Sequence, residues 1–475
     1  MKIDFKKINK IYFIGIGGIG LSAIAKFMKL DQKQVSGSDL NHSLIIDNLK
    51  KDKIKVYIGH SKDNITNDIE LVIHTTAISK DNPELKRAKE LNIKTITYPE
   101  SLGLIFNNKF GIAVCGTHGK SSTSALAGFL LDDAKFDPSI VVGSILPRYK
   151  SNLRIGKSKY FVVEACEYER SFLNLYPKII ILNNIELDHT DYYKDIEDMR
   201  SAFEEFVGHL PKDGILICNG DDEEIINLKL QILNKFKIQN SKFKILSFGL
   251  DKNNDVRGCD VRFESGMAKF KVLYNEKDLG EFVLKVPGLF NIYNALGVIT
   301  LGLILEIPIE TIKKSLMNYS GIWRRFEIKG KYKNALVISD YAHHPTAVKA
   351  TIEATRKFYP NKRILAVFQP HQHNRTKKLY KDFLNSFNDA DIVILSEIFD
   401  VKGREESDDQ NVSSLNLVDD IRKNWEIEKL DINSIFYSRN LEETRKMIDK
   451  YIEPNDILLI MGAGDIYKVA DDLIK

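Results

Sequence analysis

Residues 110–131 read FGIAVCGTHGKSSTSALAGFLL, an apolar run that breaks into a glycine loop and resumes as a helical pattern. The six residues ending at Cys115 are apolar or small, which suits a strand covered on both faces. The loop that follows, Gly116-Thr117-His118-Gly119-Lys120-Ser121-Ser122, has the chemistry of a phosphate cradle. Glycines let the backbone close in, N–H groups at a helix start face an anion, the lysine adds charge, and a hydroxyl can reach Mg²⁺. The spacing is tighter than G-x-x-x-x-G-K, because Val114 stands where that pattern needs glycine. Strand, loop and helix in this order predict an α/β fold built on largely parallel sheets.

Upstream, residues 7–28, KINKIYFIGIGGIGLSAIAKFM, repeat this grammar. Gly15, Gly17 and Gly20 stand in the G-x-G-x-x-G spacing, and Asp39 of SGSD lies about twenty residues on. Taken alone, that is the fingerprint of a dinucleotide-binding βαβ unit and predicts an NAD-dependent oxidoreductase. A dehydrogenase has no use for a triphosphate loop, however. Two nucleotide-type loops, the second suited to ATP, point to a ligase or kinase acting on a nucleotide-linked substrate. Strands are expected at KIYFIGI, QVSGSD and ELVIHTTA, and TYPESLGLIFNNK closes this first unit.

Downstream, FVVEACE ends a strand at Glu164, and ILNNIELDH runs to Asp188 and His189. A carboxylate, a Ser121 hydroxyl and phosphate oxygens suit an octahedral Mg²⁺ site. Glu167, Glu169 and Asp188 compete with Glu164 on composition, and the strand-end position favours Glu164. His189 read alone is a structural histidine, since Mg²⁺ prefers oxygen. Residues 235–287 alternate apolar and polar and predict a flanking antiparallel sheet. After GIWRRFEIKG a third unit begins. Its loops DYAHHPT and FQPHQHNRTKK place Asp340, Tyr341, His343, His344, His371, His373 and Arg375 after successive strands. A bidentate arginine there suits a carboxylate such as that of an amino acid. The expected units are 1–107, 108–320 and 321–475.

The 475 residues carry 69 basic and 65 acidic side chains, a balance of +4 that argues against a nucleic-acid surface. Cys115, Cys166, Cys218 and Cys259 form no C-x-x-C pair, so neither disulfides nor a zinc knuckle are expected and a reducing cytoplasm is the natural setting. No signal peptide or membrane-length apolar run is read, so no membrane partner is expected.

The set GTHGKSS, VVEACE, NNIELDH, GLFNIYNA, GIWRRFE, DYAHHPTAV, FQPHQHNRT and MGAGDI resembles the Mur ligases of peptidoglycan synthesis, from about residue 10 to the C-terminus. GIGGIGLSAIA with SGSD, and DYAHHP with FQPH, resemble the branch that adds L-alanine to UDP-N-acetylmuramate. The resemblance implies an N-terminal Rossmann-like domain for the UDP-sugar, a central P-loop ATPase-like domain for MgATP, and a C-terminal Rossmann-like domain for the amino acid. It implies Gly17, Gly18, Ile19 and Gly20 near the pyrophosphate, with Ser38, Asp39 and Thr76 toward the uridine. Gly116 to Ser122 would cradle ATP, with Lys120 on the β/γ-phosphates. Ser121 and Glu164 would hold one Mg²⁺ and His189 a second. Asn291 and Asn294 would lie near adenine, Arg325 near the transferred phosphate, and Asp340 near the ribose. Tyr341, His343 and Arg375 would receive alanine. The implied reaction forms an acyl phosphate and ADP, then an amide and phosphate.

Three positions depart from the family pattern. Cys166 replaces a common acid, Gln372 replaces an arginine, and Phe203 stands where sister ligases carry a carbamylated lysine. Other readings are a related ligase for another amino acid or a muropeptide, the NAD-dependent oxidoreductase, and a nucleotide-binding regulator with a degenerate site. A monomer or homodimer is expected.

Overall fold

The computed structural model describes residues 3–190, 192–239, 243–264, 267–400, 412–428 and 430–475. Three sheets follow one another along the chain. The first contains β1 (Lys10–Ile14), β2 (Gln34–Asp39), β3 (Lys55–Ile58), β4 (Leu71–His74) and β5 (Lys94–Thr97), all parallel, in the order β3-β2-β1-β4-β5. The expected strands are β1, β2 and β4. The flanking strands β3 and β5 are short and mostly exposed or half-buried, unlike the buried β4.

The second sheet contains β6 (Phe110–Cys115), β7 (Ser139–Leu146), β8 (Ser151–Arg154), β9 (Tyr160–Glu164), β10 (Ile179–Leu182), β11 (Ile215–Asn219), β12 (Lys244–Gly249), β13 (Val256–Glu264), β14 (Met267–Tyr274) and β15 (Lys277–Leu284). Their order is β15-β14-β13-β12-β11-β10-β6-β9-β7-β8. Of the stretch 235–287 expected to be antiparallel, β13, β14 and β15 are so, whereas β12 pairs parallel with β11 and β13 and extends the parallel sheet. At the sheet's middle, β6 and β10 carry Ile, Val and Leu on both faces, and β10 is wholly buried. Each such side chain contributes about 1.5–3 kcal/mol by leaving water. The helix Lys120–Asp133 covers one face together with Leu289–Ile304.

The third sheet contains β16 (Glu327–Tyr332), β17 (Ala335–Asp340), β18 (Ile364–Phe368), β19 (Ile392–Ser396), β20 (Ile435–Ser438) and β21 (Ile457–Met461), in the order β16-β17-β21-β18-β19-β20. Only the β16–β17 pair is antiparallel among the described strands of this sheet.

The units join in different ways. Leu102, Ile105 and Phe106, on the helix Tyr98–Phe106, lie in the same apolar cluster as Ala113, Phe161 and Phe172. The Phe106 and Phe161 rings sit 5.7 Å apart. Gly111 makes room for them, since a Cβ there would stand 2.2 Å from Phe106 Cζ. Phe203 is buried in the same core, edge-on to Phe172 at 5.3 Å, so its position is filled by packing. The third unit meets the central one through polar groups. Trp323 N–H donates to the Ile145 carbonyl at 3.2 Å, and Ser144 Oγ donates to the Trp323 carbonyl at 2.8 Å.

Candidate active site

The strands β6, β9 and β10 run parallel and side by side, so their carboxyl ends open onto one crevice, where such sheets bind ligands. β6 leads into the phosphate loop, β9 ends at Glu164, and β10 leads to Asn183–His189. Gly119 caps the helix Lys120–Asp133 at φ 78°, and a Cβ there would meet Asn294 Oδ1 at 2.4 Å. Only glycine satisfies both the left-handed backbone and the close approach. The loop after β10 holds the phosphate loop in shape. Thr117 N–H donates to the Asn184 carbonyl at 3.2 Å, Thr117 Oγ1 to the Glu186 carbonyl at 2.8 Å, and His118 N–H to Asn184 Oδ1 at 2.7 Å.

Lys120 folds back on this loop. Its Nζ donates to the Gly116 carbonyl at 2.6 Å, the Thr117 carbonyl at 2.9 Å and Glu167 Oε1 at 2.9 Å. Burial works against its charge, but the buried Glu167 carboxylate overrides that and raises its pKa. Burial likewise opposes ionisation of Glu167, and the Lys120 and His189 side chains bring its pKa below the ordinary carboxylate value. The lysine is therefore held in its charged form by a buried carboxylate.

Ser121 Oγ donates to Glu164 Oε1 at 3.0 Å, and Glu164 Oε2 accepts from Gly143 N–H at 2.7 Å. A hydroxyl and a carboxylate converging at a phosphate loop form a donor set that fits a hard cation such as Mg²⁺. His189 lies across from them at φ 52°, its Nε2 3.4 Å from Glu167 Oε1 and its ring 4.7 Å from Tyr168. The exposed Cys166 follows Glu164 by two residues.

A cavity of about 310 Å³ opens beside the loop, and Ser122, Asn291, Asn294, Arg325 and Asp340 are among its walls. Asn291 Nδ2 donates to the Pro287 carbonyl at 2.7 Å, and Asn294 Nδ2 to Asn291 Oδ1 at 3.2 Å, which fixes two amides at the cavity wall. From the third unit comes Asp340, at the end of β17. Burial raises its pKa while it accepts from Phe326 N–H at 2.6 Å and Ala342 N–H at 2.7 Å. The arginine pair of WRRFE divides its work. Arg324 is buried, donates to the Gly462 and Gly464 carbonyls and packs on Tyr341 and Tyr467, whereas Arg325 faces the cavity with its guanidinium 4.8 Å from the Tyr341 ring centre. His343 Nδ1 pairs with the Tyr341 carbonyl at 3.0 Å, and burial with the nearby Arg375 charge pushes its pKa well below the usual value.

Arg375 is taken up by Asp188, one of the carboxylates that composition left in competition with Glu164. Its Nη2 lies 3.0 Å from Asp188 Oδ1, both side chains being nearly buried. Burial opposes ionisation of Asp188, yet Arg375, His189 and His343 hold it far below the carboxylate range. Beside it, Glu186 accepts from His118 Nε2 at 2.7 Å and from Thr346 Oγ1 at 2.6 Å. Despite the cost of burial, these bonds bring its pKa to about 2. Glu186 and Thr346 were not among the expected site residues, and Glu167 entered only as a competitor of Glu164. The NNIELDH run contains Glu186, but nothing in its spacing shows which carboxylate turns toward the third unit.

In the first unit, Asp39 Oδ2 accepts from Gly17 N–H at 2.9 Å, while the Ser38 carbonyl accepts from the N–H groups of Gly15 and Ile16. Gly18 caps the helix Ile19–Leu30 without a side chain, leaving its N–H groups open to an anion. Gly20 sits against Tyr98, whose ring a Cβ would meet at 2.6 Å. Thr76 is exposed in the turn after β4. The Ser38 hydroxyl points elsewhere: it donates to the buried Glu84 at 2.5 Å, so this residue serves the loop through its backbone.

Family models described as "Mur ligase family, catalytic domain", "Mur ligase middle domain" and "Mur ligase, glutamate ligase domain" match residues 10–110, 114–302 and 324–464. The UDP-N-acetylmuramate–L-alanine ligase of Clostridium tetani is 42% identical over 478 residues, covering 100% of both chains. That of Sulfurihydrogenibium sp. is 40% identical over 470 residues, 99% of this chain and 98% of its own. The solved UDP-N-acetylmuramate-alanine ligase of Thermotoga maritima superposes with a TM-score of 0.81 at 27% identity, covering 98% of each chain. End-to-end likeness at this identity, with the three domain types in order, leaves one assignment: this chain belongs to the Mur ligase family.

Proposed function

We propose that this chain is an ATP-dependent ligase that joins L-alanine to the lactyl carboxylate of UDP-N-acetylmuramate, releasing ADP and phosphate, in peptidoglycan synthesis. The observation that carries this reading is the meeting of His118, Gly119 and Ser122 of the phosphate loop with Arg325 and Asp340 of the third unit around one cavity. Its relatives of about 40% identity bear the name of that reaction.

The chemistry needs positioning and charge neutralisation more than covalent help. A lactyl carboxylate oxygen attacks the γ-phosphorus, the bond to the ADP oxygen breaks, and an acyl phosphate results. The alanine nitrogen then attacks the acyl carbon, phosphate departs with the C–O electron pair, and the nitrogen gives up its proton. Lys120 and Arg325 neutralise charge on the moving phosphoryl group, and the Asn291 and Asn294 amides and the Asp340 carboxylate orient the nucleoside. Ser121, Glu164 and His189 are the residues that would hold Mg²⁺, which supplies further neutralisation of the phosphates. Tyr341, His343 and Arg375 face the side that receives alanine. The loop Gly17–Gly20, with Asp39 and Thr76, takes the UDP end, because UDP-sugars and NAD share the pyrophosphate for which that loop is shaped.

The units 1–107, 108–320 and 321–475 then hold sugar nucleotide, ATP and amino acid in turn. The proposed setting is the cytoplasm, as monomer or homodimer. No helix among the described residues is long and apolar enough to cross a membrane. The test is ADP formation from MgATP and UDP-N-acetylmuramate, with and without L-alanine, and with glycine or L-serine in its place. Turnover that depends on alanine is expected. ADP formation indifferent to alanine, or driven by another amino acid, overturns the reading.

A further inference from the structure

His118, Glu186 and His344 come from three separate loops, yet their side-chain donor atoms all lie within 4.8 Å of one another. His118 sits in the phosphate loop, Glu186 after β10, and His344 after β17 at the head of the helix Pro345–Phe358. The His118 Nε2 is 2.7 Å from Glu186 Oε2, and His344 Nδ1 is 3.7 Å from Glu186 Oε1. The two imidazole rings are 5.4 Å apart.

One member of the group has nothing to do in the protein as it stands. His344 is 4% exposed, and neither of its ring nitrogens has a hydrogen-bond partner. A network built only for hydrogen bonding would pair a histidine buried that deeply. Its neighbours are anchored: the His118 backbone is held on both sides by Asn183 and Asn184, and Glu186 Oε1 already accepts from Thr346 Oγ1. Such outer contacts orient ligands and are what a metal site requires around its first ring of donors.

We infer that His118, Glu186 and His344 form a binding site for a zinc-class divalent cation, with a fourth position open toward the nucleotide cavity. Two imidazoles and one carboxylate are the donor set of a borderline-soft ion, whereas the Ser121–Glu164 pair offers only oxygen and suits Mg²⁺. Bonds of about 2.0–2.1 Å set tetrahedral ligand atoms roughly 3.3 Å from one another, so the His118–Glu186 contact of 2.7 Å widens and the His344–Glu186 separation of 3.7 Å closes. The ion takes the place of the proton between His118 and Glu186 and engages the idle His344. It also ties the third unit to the central one, because His344 alone of the three comes from beyond residue 320.

This inference does not depend on the proposed reaction, and its test reads metal binding rather than turnover. The full-length chain is titrated with Co²⁺ in saturating Mg²⁺, following the intense visible bands of tetrahedral cobalt, then with Zn²⁺ in competition. One ion per chain is expected, with Zn²⁺ displacing Co²⁺ and raising the melting temperature. His344→Gln and His118→Gln are each expected to weaken binding at least about 100-fold, the upper end of what losing an outer-shell partner costs. Glu164→Gln should bind as the parent does. His118 lies in a partly exposed loop, so its variant stands as the control should the buried His344→Gln fail to fold. No saturable binding in Mg²⁺, binding that survives His118→Gln, or binding lost in Glu164→Gln overturns the site.

Discussion

Where the first unit meets the central one, the Phe106 and Phe161 rings pack 5.7 Å apart within one apolar cluster. Where the third unit meets it, Arg375 pairs with Asp188, Thr346 with Glu186, and Lys378 Nζ reaches the Thr190 carbonyl at 2.5 Å. The first seam belongs to one continuous cluster, and parting it exposes apolar surface to water. The second exchanges hydrogen bonds and charges, which water or a ligand can replace at lower cost. The first and central units are thus joined more firmly than the central and third.

The largest effect should come from breaking the apolar seam. Phe106→Ala removes a fully buried ring, at a cost of about 3–5 kcal/mol. Urea unfolding should show the first and central units lowered together. If only the first unit's transition moved, the seam would not be shared. Next comes the polar seam. Arg375→Ala leaves Asp188 nearly buried without its cation, which costs about 3 kcal/mol. X-ray scattering should show a larger radius for this variant in the absence of ligands, and alanine-dependent turnover should fall; an unchanged radius would mean that this ion pair does not hold the units together.

Thr346→Val removes one hydrogen bond to Glu186 and keeps the shape, so about 1 kcal/mol is expected. That loss should appear as a rise in the alanine KM with the melting temperature of the first unit unmoved. The smallest effect concerns acid. Glu186, at about 2, and Asp188, lower still, are depressed below their unfolded values. Their contribution is therefore complete above about pH 4.5 and declines as pH falls toward 2, while the Phe106 seam carries no titrating side chain at its contact. Trp323, hydrogen-bonded across the polar seam through its backbone, should change emission as pH falls from about 4.5 toward 2, before the first unit unfolds. Simultaneous loss of both seams would erase the contrast.

The same contrast runs through what was legible beforehand. Strands with long apolar runs, such as β1, β6 and β10, are written in their residues, because burial on both faces demands Ile, Val and Leu. β3 and β5 are not, since four-residue flanking strands such as KVYI and KTIT carry too little pattern to separate from a loop. The phosphate loop was legible for a local reason: glycine, lysine and serine act there within one turn of chain. The Ser121–Glu164 and His189–Glu167 contacts, by comparison, join side chains from separate loops, 43 and 22 positions apart in the chain. Arg324 and Arg325 are adjacent and chemically equal, yet one is buried against Tyr467 and the other faces the cavity.

The sequence by itself determined the α/β class and the two glycine loops, because those properties depend on residues close together in the chain. Only the tertiary structure decided which carboxylate holds Lys120, that Ser38 serves through its backbone, and that Glu186 and His344 meet. Each of those facts joins groups from separate strands, and their distance is set by sheet order and by the docking of the third unit. No local pattern records a contact between residues 158 positions apart.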